Sequence, residues 1–233
     1  MLRHSTFQIA IATLSLFLAT AARAQDTAPS LRWCAYLTNG SVQKLASDPA
    51  ALEKAPQLLK ALNISKVYLE FFRQTSVSND DVKKVSGALT QQGFEIAGGI
   101  ATLPGENYGV REDAKLGWFN WQAQKTRDDV AKVMSTAAPL FSEIIVDDFF
   151  CTGDMSAESV AAKGELPWGD YRRALMVQAA QQSIIVPAKS ANPTVTLIMK
   201  FPQWYDRFHE FGYDVPAESA MFDRIWVGTE TRG

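Results

Sequence analysis

The fold of this chain is decided by one short stretch, EIIVDDF at residues 143–149. Two isoleucines and a valine stand side by side at 144–146, and Asp147 and Asp148 follow directly. β-Branched residues favour strands, and an apolar run without alternation is typical of a parallel strand buried on both faces. The stretch therefore predicts a buried parallel strand that ends in two carboxylates.

The same pattern of strand and helix continues on both sides of this stretch. Predicted strands cover residues 31–37, 66–72, 94–101, 143–149, 194–201 and 222–229. Predicted helices cover residues 49–62, 79–92, 126–138, 168–189 and 204–211. Residues 102–125 predict a long loop rich in aromatic rings, and such loops usually bind or cover a ligand. Strands that alternate with helices indicate an α/β fold with a parallel sheet.

Polar side chains gather at the predicted carboxyl ends of the strands: Glu70, Thr102, Asp147, Asp148, Lys200 and Glu230. In a TIM-type (β/α)8 barrel that end carries the chemistry. A doubly wound sheet would need a glycine-rich loop after its first strand, and residues 38–41 contain one glycine. We therefore expect an α/β fold of the (β/α)8 TIM-barrel type, incomplete, with about six of eight βα units present. We expect the C-terminal part to be missing, and an open sheet completed by a partner chain is the alternative.

The amino terminus has the layout of a secretory signal. Arg3 and His4 are followed by an apolar run at 7–21 and by the small-residue pattern Ala22-Arg23-Ala24. A membrane anchor is the alternative, but a span needs roughly 20 apolar residues. We therefore predict a signal peptide at 1–24, a single barrel domain at 25–233, and a secreted or periplasmic protein without membrane contact after cleavage.

Composition excludes several classes of function. A formal charge of -2 and a pI near 5.8 argue against a nucleic-acid partner, because phosphate binding needs a concentrated basic surface. Two histidines in the whole chain give no cluster for a metal, and we expect no cofactor. Export permits a disulfide between Cys34 and Cys151, but their strands would lie on opposite sides of a barrel. The sequence therefore leaves both the disulfide and the two free thiols as alternatives. The sequence leaves the oligomeric state open as well.

Acidic residues at two strand ends suit glycoside hydrolysis, which needs two carboxyl groups across the scissile bond. We expect Asp148 to face the barrel mouth with Asp147 in support, and Glu230 to act as acid/base. Alternatives are a helix-capping aspartate and, for Glu230, a surface ion pair with Arg232. A serine triad is disfavoured, because G-x-S-x-G is absent and His209 is the one histidine in 25–233.

Substrate binding is expected from polar and aromatic residues at the same end of the strands. Glu70, Lys200 and Arg232 would hold sugar hydroxyls, and Trp204 with Tyr205 would stack on sugar rings. The alternative for these two rings is a place in the core.

Three motifs carry a family resemblance: DDF at 147–149, KFPQWY at 200–205 and GTETR at 228–232. With them the chain, from Arg32 to its end, resembles the glycoside-hydrolase-type TIM barrel superfamily, in particular uncharacterised secreted bacterial glycosidase-like proteins. The resemblance implies a sugar-cleaving barrel with acidic residues on the fourth and sixth strands, similar to the α-galactosidase-like clan. The chain departs from related enzymes by ending before a seventh strand and by lacking the D-x-x-D-x-D-x-E run of chitinase-like barrels.

The function expected from these observations is glycoside hydrolysis by a carboxylate pair on a carbohydrate substrate. A non-catalytic carbohydrate-binding barrel and an inactive fragment are the alternatives. Neither the sugar nor the stereochemistry follows from the sequence.

Overall fold

A computed structural model of the chain describes residues 31–112, 115–147 and 149–229. Strands β1 to β8 cover, in order, Trp33–Leu37, Ile64–Phe72, Glu95–Ile100, Gly109–Glu112, Lys115–Phe119, Glu143–Val146, Thr196–Phe201 and Arg224–Val227. Helices α1 to α9 cover Asn39–Ser47, Pro49–Ala61, Asn79–Gln91, Gln124–Ala137, Ala157–Lys163, Trp168–Ala179, Val186–Ala191, Phe208–Phe211 and Val215–Met221. Short 3₁₀ turns lie at Ala138–Leu140 and Tyr205–Arg207, and a π-helix lies at Ala180–Ile185.

The main sheet has six strands in the order β1-β2-β3-β6-β7-β8, and every neighbouring pair is parallel. This order follows the chain without reversal. A doubly wound sheet reverses its order at a switch point, whereas a barrel runs in one direction. The expected α/β architecture, an incomplete (β/α)8 barrel, is therefore confirmed. The fourth and sixth predicted strands are β6 and β8.

Capping side chains set several helix boundaries. The carboxylate of Asp48 accepts from the N–H groups of Ala50 and Ala51 at the start of α2. The Ser78 hydroxyl accepts from the Asp81 N–H at the start of α3, which fits the helix predicted from residue 79. Gly93 follows α3 with φ of 90°, a conformation in which glycine ends helices easily.

Three differences from the sequence predictions concern local structure. Helix α1 begins at Asn39, where no helix is predicted, and its first N–H bonds to the distant Glu70. The predicted loop at 102–125 contains an antiparallel hairpin of β4 and β5. The single helix predicted at 168–189 is divided into α6, the π-helix and α7, because Pro187 has no N–H and its ring disturbs the preceding turn.

Both faces of the sheet are covered, as parallel strands require. On the inner face Tyr68, Ala97, Ile145 and Ile198 form a small buried cluster against Tyr36. The outer face packs on the helices through one larger core that extends from Val42 to Phe222 along the chain.

Charged residues occupy the amino-terminal end of the inner face. Lys66 pairs with Glu143 and lies 2.9 Å from Glu95, and the Tyr68 hydroxyl donates to Glu143 at 2.6 Å. Arg224 donates to the other Glu143 oxygen at 2.7 Å. These ion pairs join β2, β3, β6 and β8 on the amino-terminal side of the inner-face apolar cluster.

The two cysteines do not form a disulfide with each other, and Cys34 is exposed while Cys151 is buried. Among the described residues, every helix is too short or too polar to cross a membrane. The predicted signal peptide at 1–24 lies outside the described residues.

Candidate active site at the carboxyl end of the sheet

Two carboxylates and one lysine meet on the inner face where β2, β6 and β7 end. Glu70 is paired in register with Gly99 of β3, and Asp147 follows β6 directly. The Asp147 N–H still donates to the Ile100 carbonyl at 2.9 Å, which continues the pairing with β3. Lys200 Nζ lies 3.4 Å from Asp147 Oδ1, and their side chains are 22% and 15% exposed. We call this region the mouth.

Glu70 is completely buried and holds four hydrogen-bond donors. Its Oε1 accepts from the Tyr36 hydroxyl at 3.0 Å and from Arg73 Nη2 at 2.8 Å. Its Oε2 accepts from the Asn39 N–H at 2.6 Å and from Arg73 Nε at 2.8 Å. The Asn39 side chain donates in turn to the Thr75 carbonyl at 2.9 Å. Glu70 therefore fastens the start of α1 to the loop that follows β2.

Tyr36 and Arg73 share an electrostatic environment with Asp147. Desolvation raises the pKa of Tyr36 well above its usual range, and the negative charges of Glu70 and Asp147 add to the shift. The hydrogen bonds that Arg73 donates to Glu70 raise the pKa of the Arg73 guanidinium, and the charges of Glu70 and Asp147 contribute too. All four side chains therefore belong to one charged cluster at the mouth.

Gly99 makes room for the Tyr36 ring. A Cβ atom at this position would lie 2.7 Å from both the ring and the hydroxyl oxygen of Tyr36. Sequence reasoning did not single out Tyr36 or Arg73. Two features of the sequence could have indicated them. Gly99 in the buried strand β3 leaves room for a ring, and Arg73 lies three residues after Glu70.

The predicted site residues fall into three groups. Glu70, Asp147 and Lys200 come together at the mouth. Asp148, Glu230 and Arg232 lie outside the described residues, so their roles stay predictions. Trp204 and Tyr205 lie in the segment after β7.

The rings of Trp204 and Tyr205 differ in exposure. Trp204 packs in an aromatic cluster, with ring centroids 5.3 Å from Phe211 and 5.5 Å from Tyr213. Tyr205 is 75% exposed and borders a groove of about 710 Å³ beside His209. Stacking on a sugar stays a prediction for both.

An apolar cleft of about 350 Å³ lies between the β4–β5 hairpin and the ends of β3 and β6. Trp118 of the hairpin, Phe149 and Thr102 line it. The Thr102 hydroxyl donates to the Phe149 carbonyl at 2.9 Å, which fixes the loop after Asp147 against the end of β3. Phe149, which lines the cleft, therefore lies two residues after Asp147 in the sequence.

Arg172 of α6 joins the segments that follow β6 and β7. Its Nη2 donates to the Gly153 carbonyl at 2.8 Å and its Nη1 to the Glu210 carbonyl at 2.7 Å. The guanidinium lies 4.7 Å above the ring centroid of Trp168. The loop after Asp147 is thereby tied to α8.

Comparisons with known proteins give relatives and structural neighbours of this chain. A protein of Saccharolobus solfataricus described as uncharacterized is 28% identical over 219 residues, which cover 84% of this chain and 37% of that protein. The chain thus spans 37% of the length of this relative.

Two solved structures resemble this chain at low sequence identity. The Bacillus cereus spore cortex-lytic enzyme SleL is 12% identical with a TM-score of 0.45, over 84% of this chain and 41% of that one. An alpha-amylase from Lactobacillus plantarum is 9% identical with a TM-score of 0.45, over 83% and 51%.

The family model described as "Probable glycosyl hydrolase, catalytic domain" matches residues 20–233. The match includes the strand end at Asp147 and the whole described part of the chain. The chain therefore belongs to this family of glycosyl hydrolase catalytic domains.

Proposed function

We propose that this domain hydrolyses O-glycosidic bonds with a carboxylate pair at the mouth. The observation that carries the proposal is the cluster of Asp147, Lys200, Glu70, Arg73 and Tyr36 on the inner face, at the end of the strands where barrels carry their chemistry. Membership of the glycosyl hydrolase family supports the same reaction.

The proposed roles follow from position along the chain. Asp148 is the strand-end carboxylate that acts on the sugar, with Asp147 in support through its pair with Lys200. Glu230 is the acid/base on the other side of the scissile bond. Lys200 and Arg232 hold sugar hydroxyls, because their cationic donors form strong hydrogen bonds with oxygen.

The apolar cleft supplies a surface for a neighbouring sugar unit. Trp118 and Phe149 line it, and the flat faces of aromatic rings suit the apolar face of a pyranose. Because Phe149 follows Asp147 by two residues, we propose that a sugar bound in the cleft directs its glycosidic bond to the mouth. Tyr205 and Trp204 are proposed as further stacking residues.

The test is a substitution at the acidic strand end in the full-length protein. Wild type is assayed on a panel of 4-nitrophenyl glycosides and polysaccharides, and Asp148→Asn, Asp147→Asn and Glu230→Gln are compared on each accepted substrate. We expect Asp148→Asn and Glu230→Gln to lower kcat by about 10²- to 10⁴-fold, because each removes a carboxyl group needed for proton transfer or attack.

Asp128→Asn is the matched control, since this aspartate is exposed on α4 and its carboxylate accepts a hydrogen bond from the Gln124 side chain. It should leave kcat unchanged. Undiminished hydrolysis by all three mouth variants would remove the carboxylate mechanism.

A carbohydrate-binding barrel without turnover is the second candidate. The observation that favours it is that both described carboxylates at the mouth are already held, Glu70 by Arg73 and Asp147 by Lys200. An enzyme shows a pH–rate profile with two ionisations. A binding protein retains the sugar and releases no aryl group from any glycoside in the panel.

Export through residues 1–24 is part of the proposal, and the signal layout of this stretch supports it. Fusion of residues 1–30 to alkaline phosphatase, which folds only in an oxidising compartment, tests it. Activity of the fusion in intact bacteria is expected, and a wholly cytoplasmic, inactive fusion would contradict export.

A further inference from the structure

Glu70 has the surroundings of a structural acceptor rather than of a reacting acid. An ionised carboxylate has about four lone-pair positions, and here each oxygen receives two donors, from Tyr36, Asn39 and Arg73. Its side chain has no exposed surface. No lone pair is left for a substrate proton, so Glu70 acts on a ligand through its donors.

Arg73 retains one nitrogen for a ligand. Its Nε and Nη2 are used by Glu70 in a two-point pair, and Nη1 has no hydrogen-bond partner in the part of the chain that the structure describes. The side chain is 32% exposed. The two-point pair fixes the plane of the guanidinium, so the remaining N–H groups have a defined direction before any ligand arrives.

Tyr36 offers the complementary group. Its hydroxyl donates its proton to Glu70, which leaves the oxygen lone pairs able to accept a hydrogen bond. The missing Cβ of Gly99 allows the ring to lie against β3. The mouth therefore holds a fixed donor and a fixed acceptor next to Asp147.

We propose that Glu70 is a positioning residue, and that Arg73 and Tyr36, which it orients, bind the hydroxyl groups of a neutral sugar at the mouth; this rests on the proposed function. A sugar hydroxyl both donates and accepts, so it matches Tyr36 and Arg73 together. The two described charge pairs, Glu70 with Arg73 and Asp147 with Lys200, cancel in charge, which favours a neutral ring over a uronic acid.

The kinetic test compares Glu70→Gln, Arg73→Ala and Tyr36→Phe in the full-length protein, on the aryl glycoside that wild type cleaves fastest. Each change should raise KM about tenfold, the effect of losing one hydrogen bond to a charged group, and should keep both limbs of the pH–rate profile. Methylguanidinium added to Arg73→Ala should recover part of the lost affinity. A loss of one limb in Glu70→Gln, with kcat lower by about 10²-fold or more, would make Glu70 a catalytic acid or base and overturn the proposal.

The control uses another carboxylate–cation pair within one element. Lys125 and Asp129 form an i,i+4 pair on α4, with the Lys125 side chain 84% exposed. Asp129→Asn and Lys125→Ala should leave KM unchanged. Circular dichroism and the urea midpoint of each variant identify any that fail to fold, and Tyr36→Phe, which removes one oxygen, is the mildest of the set.

A binding measurement keeps the inference independent of turnover. In protein labelled with ¹⁵N-arginine, the Nε–H resonance of Arg73 is identified by its absence from Arg73→Lys. Titration with methyl α-glucoside, methyl β-galactoside and methyl β-N-acetylglucosaminide should shift this resonance with at least one of them, and glucuronate should shift it less. If none of the neutral glycosides shifts it, or if glucuronate alone does, the proposal is wrong.

The outcomes separate the two proposals. If the Arg73 resonance responds to a neutral glycoside while wild type cleaves nothing, the hydrolase function fails and the sugar contact stands. If wild type cleaves a glycoside and Glu70→Gln loses a limb of its pH profile, the hydrolase function stands and the positioning role fails.

Discussion

Glu218 carries a carboxyl group that is completely buried where α9 packs on the π-helix. Neither of its oxygens has a hydrogen-bond partner among the described residues. Burial raises the pKa of Glu218 to about 9, and the neighbouring charge of Asp214 adds to the shift. At neutral pH the side chain is therefore a neutral acid inside the outer helical layer.

Stability should fall with rising pH because of Glu218. Its folded pKa lies above the ordinary value of 4.5, so between these two values the folded chain binds more protons than the unfolded one. The free energy of unfolding should then drop by on the order of 2 kcal/mol from pH 5 to pH 7. Glu218→Gln should flatten this dependence in urea titrations. The exposed Glu165→Gln is the control and should keep the wild-type slope; equal slopes in all three proteins would contradict the buried neutral acid.

Gly99 should tolerate no side chain. In Gly99→Ala the new methyl group would lie 2.7 Å from the Tyr36 ring, and the ring would have to move off Glu70. We expect a loss of about 1–3 kcal/mol in the free energy of unfolding. Gly87→Ala on α3 has open space around its Cβ and should be neutral or stabilising by up to about 1 kcal/mol. Equal stability of the two variants in urea would show that Tyr36 is not held as described.

The residues of the mouth were only partly predictable from the sequence. Glu70, Asp147 and Lys200 could be selected because polar groups at the end of apolar strands are conspicuous. Tyr36 and Arg73 were missed, because their role depends on the register of β1 with β2 and on the turn after β2. Register is a tertiary property, so Gly99 and the i,i+3 spacing of Glu70 and Arg73 are weak signals until the strands are paired.

At the scale of elements, four strands are joined by buried charges at the amino-terminal end of the inner face. Lys66 and Glu143 are each 6% exposed, while Arg224 is 61% exposed in its side chain. Exposed ion pairs contribute little, whereas removal of one partner from a buried pair leaves an uncompensated charge. The Lys66–Glu143 pair is therefore the sensitive link between β2 and β6.

Glu143→Leu should lower the free energy of unfolding, and a second substitution at Lys66 should recover part of the loss. The change leaves the Lys66 ammonium buried with Glu95 as its remaining carboxylate, and we expect a loss of about 3 kcal/mol. The double variant Lys66→Met with Glu143→Leu should be more stable than Glu143→Leu alone, since both charges are then gone. Urea unfolding of wild type, both single variants and the double variant measures the coupling. Strict additivity of the two changes would show that the pair does not interact.

The helices and strands could be predicted from the sequence where their burial requires apolar residues. Apolar runs located the six strands of the main sheet. Helix α1 was missed because its first N–H is satisfied by Glu70, 31 residues away, and not by a local cap. The β4–β5 hairpin was missed because its segments are short and contain glycine, and the π-helix because one proline only weakly signals a wider turn.

At the scale of the whole molecule, one contiguous core supports the described part of the chain. The outer-face cluster includes residues from α1 to the segment just before β8, and the strands that form the small inner-face cluster also contribute to it. Residues 25–233 should therefore unfold in one cooperative step, with coincident transitions by circular dichroism and tryptophan fluorescence. Two separated transitions, or no transition, would favour the inactive-fragment alternative. The overall architecture was predictable because strand–helix alternation and buried strands leave few topologies open.

The grip of Arg172 on two backbone carbonyls has a consequence for engineering this domain. Gly153 lies in the segment after β6 and Glu210 in the segment after β7, and one guanidinium bonds to the carbonyls of both. Neither segment can therefore be replaced without disturbing the other. A designer who grafts a new segment after β6 must transplant its counterpart after β7 as well. The β4–β5 hairpin forms its own two-stranded sheet and is the natural place for diversification.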